Sequence, residues 1–254
     1  MSHINGIWDF IVRWRTRLFN GIGAFVVLIA PLLGAPEGNK KNEVHPELFL
    51  DINARYQYRG FFAELFSQSL EQFTLGYNFY NGADWSVDWV GLTQHDEMSA
   101  EEARDFRGLK RRRADYMSGP RITVYLDNYI VQLHGLLDIS DTHHGELYSI
   151  KLARHWQYRN WTIHGILGAT YRSRQITDYY FSVKESEASA KFPVYSAPSA
   201  ISYVGELGVT FPLSEKWVFR SFIRHIDIGS EAVKSPLILS DHGDTIASAI
   251  SYVF

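Results

Sequence analysis

The stretch Trp161-Thr162-Ile163-His164-Gly165-Ile166-Leu167-Gly168-Ala169-Thr170-Tyr171-Arg172 decides the fold. In an extended chain Trp161, Ile163, Leu167 and Tyr171 share one side, and Thr162, His164, Thr170 and Arg172 share the other, because successive strand side chains point to opposite faces. The apolar side begins and ends in an aromatic ring. A tilted strand needs roughly 9–11 residues to cross a bilayer, and rings at both water interfaces mark such strands.

The same period of two recurs on both sides of this stretch. It runs through Leu48–Tyr56, Phe73–Phe79, Trp85–Trp89, Ile122–Leu126, Tyr129–Asp138, Tyr148–Gln157, Tyr203–Phe211, Trp217–Arg224 and Ile246–Phe254. Gly60–Phe66 is a further, less regular candidate, which makes eleven in all. No long apolar face of helical period follows Glu43. A soluble β-sandwich would also alternate, but the connections separate the two cases. Short links (Gln57–Arg59, Tyr80–Ala83, Asp127–Asn128, Tyr158–Asn160, Pro212–Glu215) take turns with longer or more polar ones (Ser67–Gln72, Gln94–Gly119, Ile139–His144, Ile176–Ser202, Gly229–Asp244). Short periplasmic turns and long external loops are the habit of outer-membrane barrels.

The expected fold is therefore all-β: an antiparallel transmembrane β-barrel of about twelve strands, with ten as the alternative. Eleven strands would leave the chain ends on opposite sides of the membrane, and an unpaired edge in lipid exposes backbone polar groups. One strand is missing from the count. Arg13, Arg15 and Arg17 precede the apolar run Leu18–Leu33 and the small residues Gly34 and Ala35, the pattern of a secretory signal peptide. This gives a signal over residues 1–35, a polar linker over 36–46 and a barrel over 47–254. Two alternatives stay open: the apolar segment Gly21–Leu33 is retained and supplies the strand, or the start codon is mis-set. The run is short for a membrane helix, and Pro31 would kink one.

Composition fits this outline. The 254 residues carry 25 Lys+Arg against 28 Asp+Glu, no Cys, and 15 Tyr, 16 Phe and 7 Trp. Absence of Cys excludes disulfides, thiolate metal sites and cysteine catalysis. A slightly acidic balance gives no reason to expect a nucleic-acid partner, and 46% apolar residues exclude a disordered chain.

Several motifs resemble one family. Asp178-Tyr179-Tyr180-Phe181-Ser182-Val183-Lys184-Glu185-Ser186 is similar to the tyrosine-rich loop of the MipA/OmpV family of Gram-negative outer-membrane proteins. Val194-Tyr195-Ser196-Ala197 follows at the right distance, and Ser235-Pro236-Leu237-Ile238 resembles the family's Ser-Pro loop. Val44-His45-Pro46-Glu47 resembles the approach to its second strand. Tyr252 and Phe254 resemble the aromatic ending read by the barrel-assembly machinery. The similarity covers residues 44–254, with Tyr180 standing where the family usually has Gly. It implies a barrel without known catalysis, associated as a scaffold with a lytic transglycosylase and a murein synthase. The leading functional expectation is thus structural, with a narrow small-solute channel as the alternative. Neither needs a cofactor.

Alternation places a set of polar residues in the lumen: Asp51, Arg55, Glu64, Asp88, His134, Asp138, Lys151, His155, His164, Arg172, Glu206, Arg220 and Arg224. They either line an aqueous pore or pair with one another, as buried charges must. Lys110, Arg111, Arg112 and Arg113, in the longest outer loop, suit lipopolysaccharide phosphates; a solvated loop paired with Glu101, Glu102 and Asp105 is the plainer reading. His143-His144 near Asp138 and Asp141 could be read as a metal site, but adjacent loop histidines rarely converge. Asp241-His242-Gly243-Asp244 is read as a polar turn. No Ser or other nucleophile is placed beside a base, so no enzyme is expected.

Overall fold

The computed structural model describes residues 25–29, 49–65, 73–95, 108–238 and 242–252. Twelve strands follow one another: β1 (Phe25–Ile29), β2 (Phe49–Tyr58), β3 (Phe61–Leu65), β4 (Phe73–Asn81), β5 (Trp85–Leu92), β6 (Met117–Leu126), β7 (Tyr129–Asp138), β8 (Glu146–Tyr158), β9 (Trp161–Arg172), β10 (Ala200–Pro212), β11 (Trp217–Asp227) and β12 (His242–Tyr252). They form one sheet in chain order, each strand antiparallel to the next, with no crossover. The first and last strands, β1 and β12, lie alongside one another. Among the described residues no helix is long and apolar enough to cross a membrane.

All eleven strands read from periodicity are present. The twelfth, β1, lies inside the apolar segment Gly21–Leu33 and pairs with β2 from Phe25↔Asn53 to Ile29↔Phe49. The segment left open as a source of the missing strand is thus paired into the sheet. The linker 36–46 and Phe254 lie outside the described residues.

Strands β6, β8 and β10 are longer than their alternation suggests. Gly119 and Pro120 interrupt the pattern of β6, and its pairing with β7 lapses there before resuming at Arg121↔His134, since proline has no N–H to offer. An added Cβ at Gly119 would collide with the Gly135 carbonyl, so glycine lets β6 and β7 close up at this gap. The turns at the short end are tight. Arg59 and Gly60 both take positive φ, and Asp127 and Arg159 do so at their turns, as two-residue hairpins require.

The outward face is apolar and uncovered. Leu167 is 66% exposed, Leu207 57% and Ile223 57%, which only a hydrocarbon surrounding makes favourable. Rings gather at the two ends of this belt. Trp161 packs on Phe211 at 4.7 Å near the short turns, and Tyr148 lies 6.4 Å from Tyr171 near the long loops. Arg154, also outward, lays its guanidinium over Tyr129 and Trp156 at 4.7 and 5.1 Å, a cation held by ring faces at the interface.

The buried apolar core sits inside, at the long-loop end. Val90, Leu92, Met117, Leu136 and Leu147 point inward from β5–β8 and meet Ile176 and Tyr180. Those two belong to helix α1 (Arg174–Phe181), which occupies the stretch expected to be loop. Ile176, Thr177 and Tyr180 bury one face of α1, and the chain turns extended at Ser182. A second short helix, α2 (Ser230–Val233), lies in the last long loop. Leu109, Val183, Phe192 and Leu237 from three loops form a smaller cluster beside it.

Candidate functional site

Inside the sheet, the wall formed by β3–β6 carries an ionic cluster. Arg121 on β6 donates from Nε and Nη2 to Asp88 on β5, at 3.0 and 2.9 Å, and from Nη1 to Glu64 on β3 at 3.0 Å. All three side chains are at least nine-tenths buried. Asn78 donates to the second oxygen of Asp88 at 2.6 Å and to the Tyr80 carbonyl at 3.0 Å. A register shift between Asn78 and Tyr80 leaves Phe79 unpaired and aims the amide this way. The Phe62 ring covers the guanidinium at 5.0 Å. His134 is buried on β7, directly across from Arg121. Arg55 stands opposite Glu64 in the β2–β3 register; its side chain and that of Asp51 lie outside the description.

The opposite wall, β8–β11, is differently charged. Glu206 on β10 accepts from Arg224 Nε at 2.7 Å and contacts His164 Nε2 at 3.0 Å. Gly208 leaves the space the His164 ring fills, since a Cβ there would strike the imidazole. His155 stands opposite His164 across β8 and β9. Lys151 lies further up β8, and Arg172 at the loop end of β9 donates to the Ser202 hydroxyl at 2.7 Å. Arg220, half-buried near the short-turn end of β11, meets no carboxylate among the described residues.

Over the long-loop end lies a cap of interlocked loops. Asp115, with no exposed surface, accepts from His95 Nδ1 at 2.7 Å, from His143 Nε2 at 3.1 Å and from the Gln94 and His95 N–H groups at 2.9 and 3.0 Å. His143 Nδ1 accepts the Gly145 N–H at 2.9 Å, which leaves the ring proton on Nε2, directed at Asp115. Burial alone would raise the Asp115 carboxyl; the His143 and His95 hydrogen bonds hold it well below the usual carboxylate range. His95 stacks on Tyr180 at 4.1 Å. Burial pushes its imidazole down, against the raising effect of Asp115. Tyr180 in turn donates to the Arg113 carbonyl at 2.8 Å.

Two more knots complete the cap. Arg112 donates to Glu187 Oε1 at 2.7 Å and to the Ser182 carbonyl at 3.0 Å, wholly inside the loops. Ser182 donates to Asp178 at 2.7 Å and accepts the Ala197 N–H at 2.8 Å, and Ser235 donates to the Phe181 carbonyl. Tyr179 accepts the Arg113 N–H at 3.0 Å. Glu185 and Ser186 are exposed in a single 3-10 turn, and Pro236 follows Ser235 next to the smaller cluster. The family motif is therefore a set of loop ties. Tyr252 ends β12.

Two expectations need correction. Arg112 is buried against Glu187, so it offers nothing to lipopolysaccharide, whereas Lys110, Arg111 and Arg113 are exposed. Asp138, at the top of β7, serves the loop that follows and not the lumen: its two oxygens accept N–H groups of Ser140, Thr142, His143 and His144 at 2.7–2.9 Å. His143 is buried and His144 is exposed beside Asp141, so the pair does not converge. On the outer face His225 meets Asp244 at 2.6 Å, with the His242 ring stacked beside it. Sequence reading missed Arg121, Asn78, His95, Asp115 and Glu187. Of these, Arg121 and Asn78 carried a signal, as the polar alternates of Ile122 and of Tyr77 and Phe79.

A family model described as MltA-interacting protein MipA matches residues 31–254. Outer membrane protein Omp26La of Vibrio anguillarum is 22% identical over 154 residues, 61% of this chain and 60% of that protein. Outer membrane protein OmpV of Vibrio cholerae serotype O1 is 28% identical over 87 residues, 34% of each. The aligned regions thus span less than two thirds of either relative. Among solved structures, the NanC porin overlays with a TM-score of 0.46 at 7% identity, over 92% of this chain and all of that one. The outer membrane channel DcaP of Acinetobacter baumannii gives 0.42 at 7% identity, over 92% and 96%. With its lipid-facing belt and this match along most of its length, the chain is an outer-membrane β-barrel that belongs to the MltA-interacting protein MipA family.

Proposed function

We propose that the protein is a structural barrel of the outer membrane, a platform for peptidoglycan-remodelling enzymes on the periplasmic side. The observation that carries this reading is the cap. Four loops spend their buried polar groups on one another, through Arg112–Glu187, Asp115 with two histidines, and the Ser182 and Ser235 ties. Such a mouth is built for rigidity and not for traffic. The family's description, an interaction with MltA, supports a lytic transglycosylase as partner; a murein synthase would be recruited beside it. The tight turns at the periplasmic end would offer the contact, and Lys110, Arg111 and Arg113 would hold lipopolysaccharide at the other. No catalysis is required of the barrel itself. Pull-down from cross-linked envelopes tests the platform: a transglycosylase should be recovered with the wild-type protein. A clean failure, with the barrel itself captured, rejects it.

A second reading, a narrow path for small solutes, is favoured by the guanidinium of Arg220, which faces inward without a carboxylate among the described residues. Planar-bilayer recordings decide it. Stepwise conductance altered by Arg220→Ala or Asp88→Ala supports the path, and a silent bilayer with folded protein rejects it.

A further inference from the structure

The two inner walls differ in charge. On β8–β11 the described inward residues include Lys151, Arg172, Arg220 and Arg224 against one carboxylate, Glu206. Glu206 is already committed to Arg224 and His164. On β3–β6 the balance is reversed: Glu64 and Asp88 share the single cation Arg121. An inward face lined by one sign of charge, with low-dielectric walls behind it, concentrates counter-ions.

Height along the strands matters as much as sign. Arg172 is at the loop end, where it holds the Ser202 hydroxyl under the cap. Arg220 is at the other end, three residues into β11, across from Thr210 on β10 and Ala249 on β12. Its two cross-strand partners are thus small or hydroxylic, and neither is acidic. The cap does not cover this end. A guanidinium held there keeps its five donors in a fork suited to carboxylate and phosphate oxygens. Above it lie the histidines His155 and His164, then Arg224 and Lys151, in ascending register.

We propose that the inward face of β8–β11 is a binding wall for small anionic solutes bearing carboxylate or phosphate groups, entered from the short-turn end, with Arg220 as the docking group. Binding at this wall requires neither an enzyme partner nor conduction across the cap. A solute that binds without crossing leaves the wall in place and removes only the solute-path reading.

Equilibrium dialysis of the full chain in lipid nanodiscs tests the wall, with citrate and pyrophosphate as separate probes and glucose as the uncharged control. Saturable, salt-sensitive uptake of citrate alone assigns a carboxylate site, and of pyrophosphate alone a phosphate site; either supports the wall, as does uptake of both. Arg220→Gln should weaken binding about tenfold, and Arg220→Lys much less, since the point charge remains. Glu206→Gln should tighten it, by removing the one competing carboxylate of the wall. Damage to the fold does not improve affinity, so opposite effects of the two Gln variants exclude misfolding as their cause. Affinity unchanged in Arg220→Gln, loss in both Gln variants, uptake of glucose equal to that of citrate, or no saturable uptake would overturn the proposal.

Discussion

Arg121 shows what a single residue does in a barrel interior. It faces two carboxylates, Glu64 and Asp88, from a site in which all three are hidden from water. A buried ion cluster contributes little net stability over apolar packing, but removing one partner strands the others. Arg121→Met should therefore cost about 3–5 kcal/mol, read as a lower urea midpoint of tryptophan fluorescence in micelles. The triple change Glu64→Leu, Asp88→Leu, Arg121→Met should recover most of it. The inward side of Glu64, Asp88, Glu206 and Arg224 was legible in the sequence, because alternation fixes the face of each residue. Partnership was not. Arg121 reaches residues 33 and 57 positions away, and that choice depends on strand stagger, which periodicity does not encode.

Also at this scale, the cap should respond to acid in two stages. His95 has its folded-state affinity for protons reduced by burial, so the unfolded loop binds more protons as pH falls below about 6.5. Its contribution is complete above that value and is lost on the way down to the folded pKa. Asp115 is shifted in the same direction, by hydrogen bonds that overcome its burial. It stabilises the cap above the ordinary Asp value of about 3.9 and fails below it. Hydrogen exchange over 139–145 and 173–199 should accelerate first below pH 6.5 and again in the carboxylate range. His95→Gln should abolish the first step and move the second, since Asp115 loses one of its two histidine donors.

Among the elements, α1 escapes the reading of the sequence and β1 stays undecided in it, for different reasons. The strand β1 lies in a continuous apolar run, Phe25-Val26-Val27-Leu28-Ile29, in which no period can be detected. Parity demands a strand and offers Gly21–Leu33 as one source of it, without choosing that over a mis-set start or a smaller strand count. The helix α1 is only eight residues long and mixes polar and aromatic residues, so its tyrosine-rich sequence reads as loop. What makes it a helix is the core beneath. Ile176, with no exposed surface, drops into the inward cluster of Leu136, Leu147 and Met117. Ile176→Ala should cost the cap about 2–5 kcal/mol. The expected signature is new protease cleavage between residues 173 and 199, with the strands still protected and the heat-modifiable band unchanged.

For the whole molecule, the governing fact is that the apolar surface is outside. A water-soluble body would hide Leu207, Leu167 and Ile223 in a central core; here they are more than half exposed. The penalty for a charge on such a face depends on depth in the bilayer, not on side-chain burial. At the midplane of a barrel an outward Arg costs about 2–4 kcal/mol, falling to about 0–1 near the interface. Leu207 sits midway along β10, and Ile201 lies one residue from its loop end, 46% exposed. Leu207→Arg should therefore lower the urea midpoint in lipid vesicles by the larger amount and Ile201→Arg by the smaller, though both begin as exposed apolar residues. The contrast should shrink in short-chain detergent, whose thin shell lets the guanidinium reach water from either position. Equal costs in bilayers would mean that no hydrocarbon slab surrounds the belt.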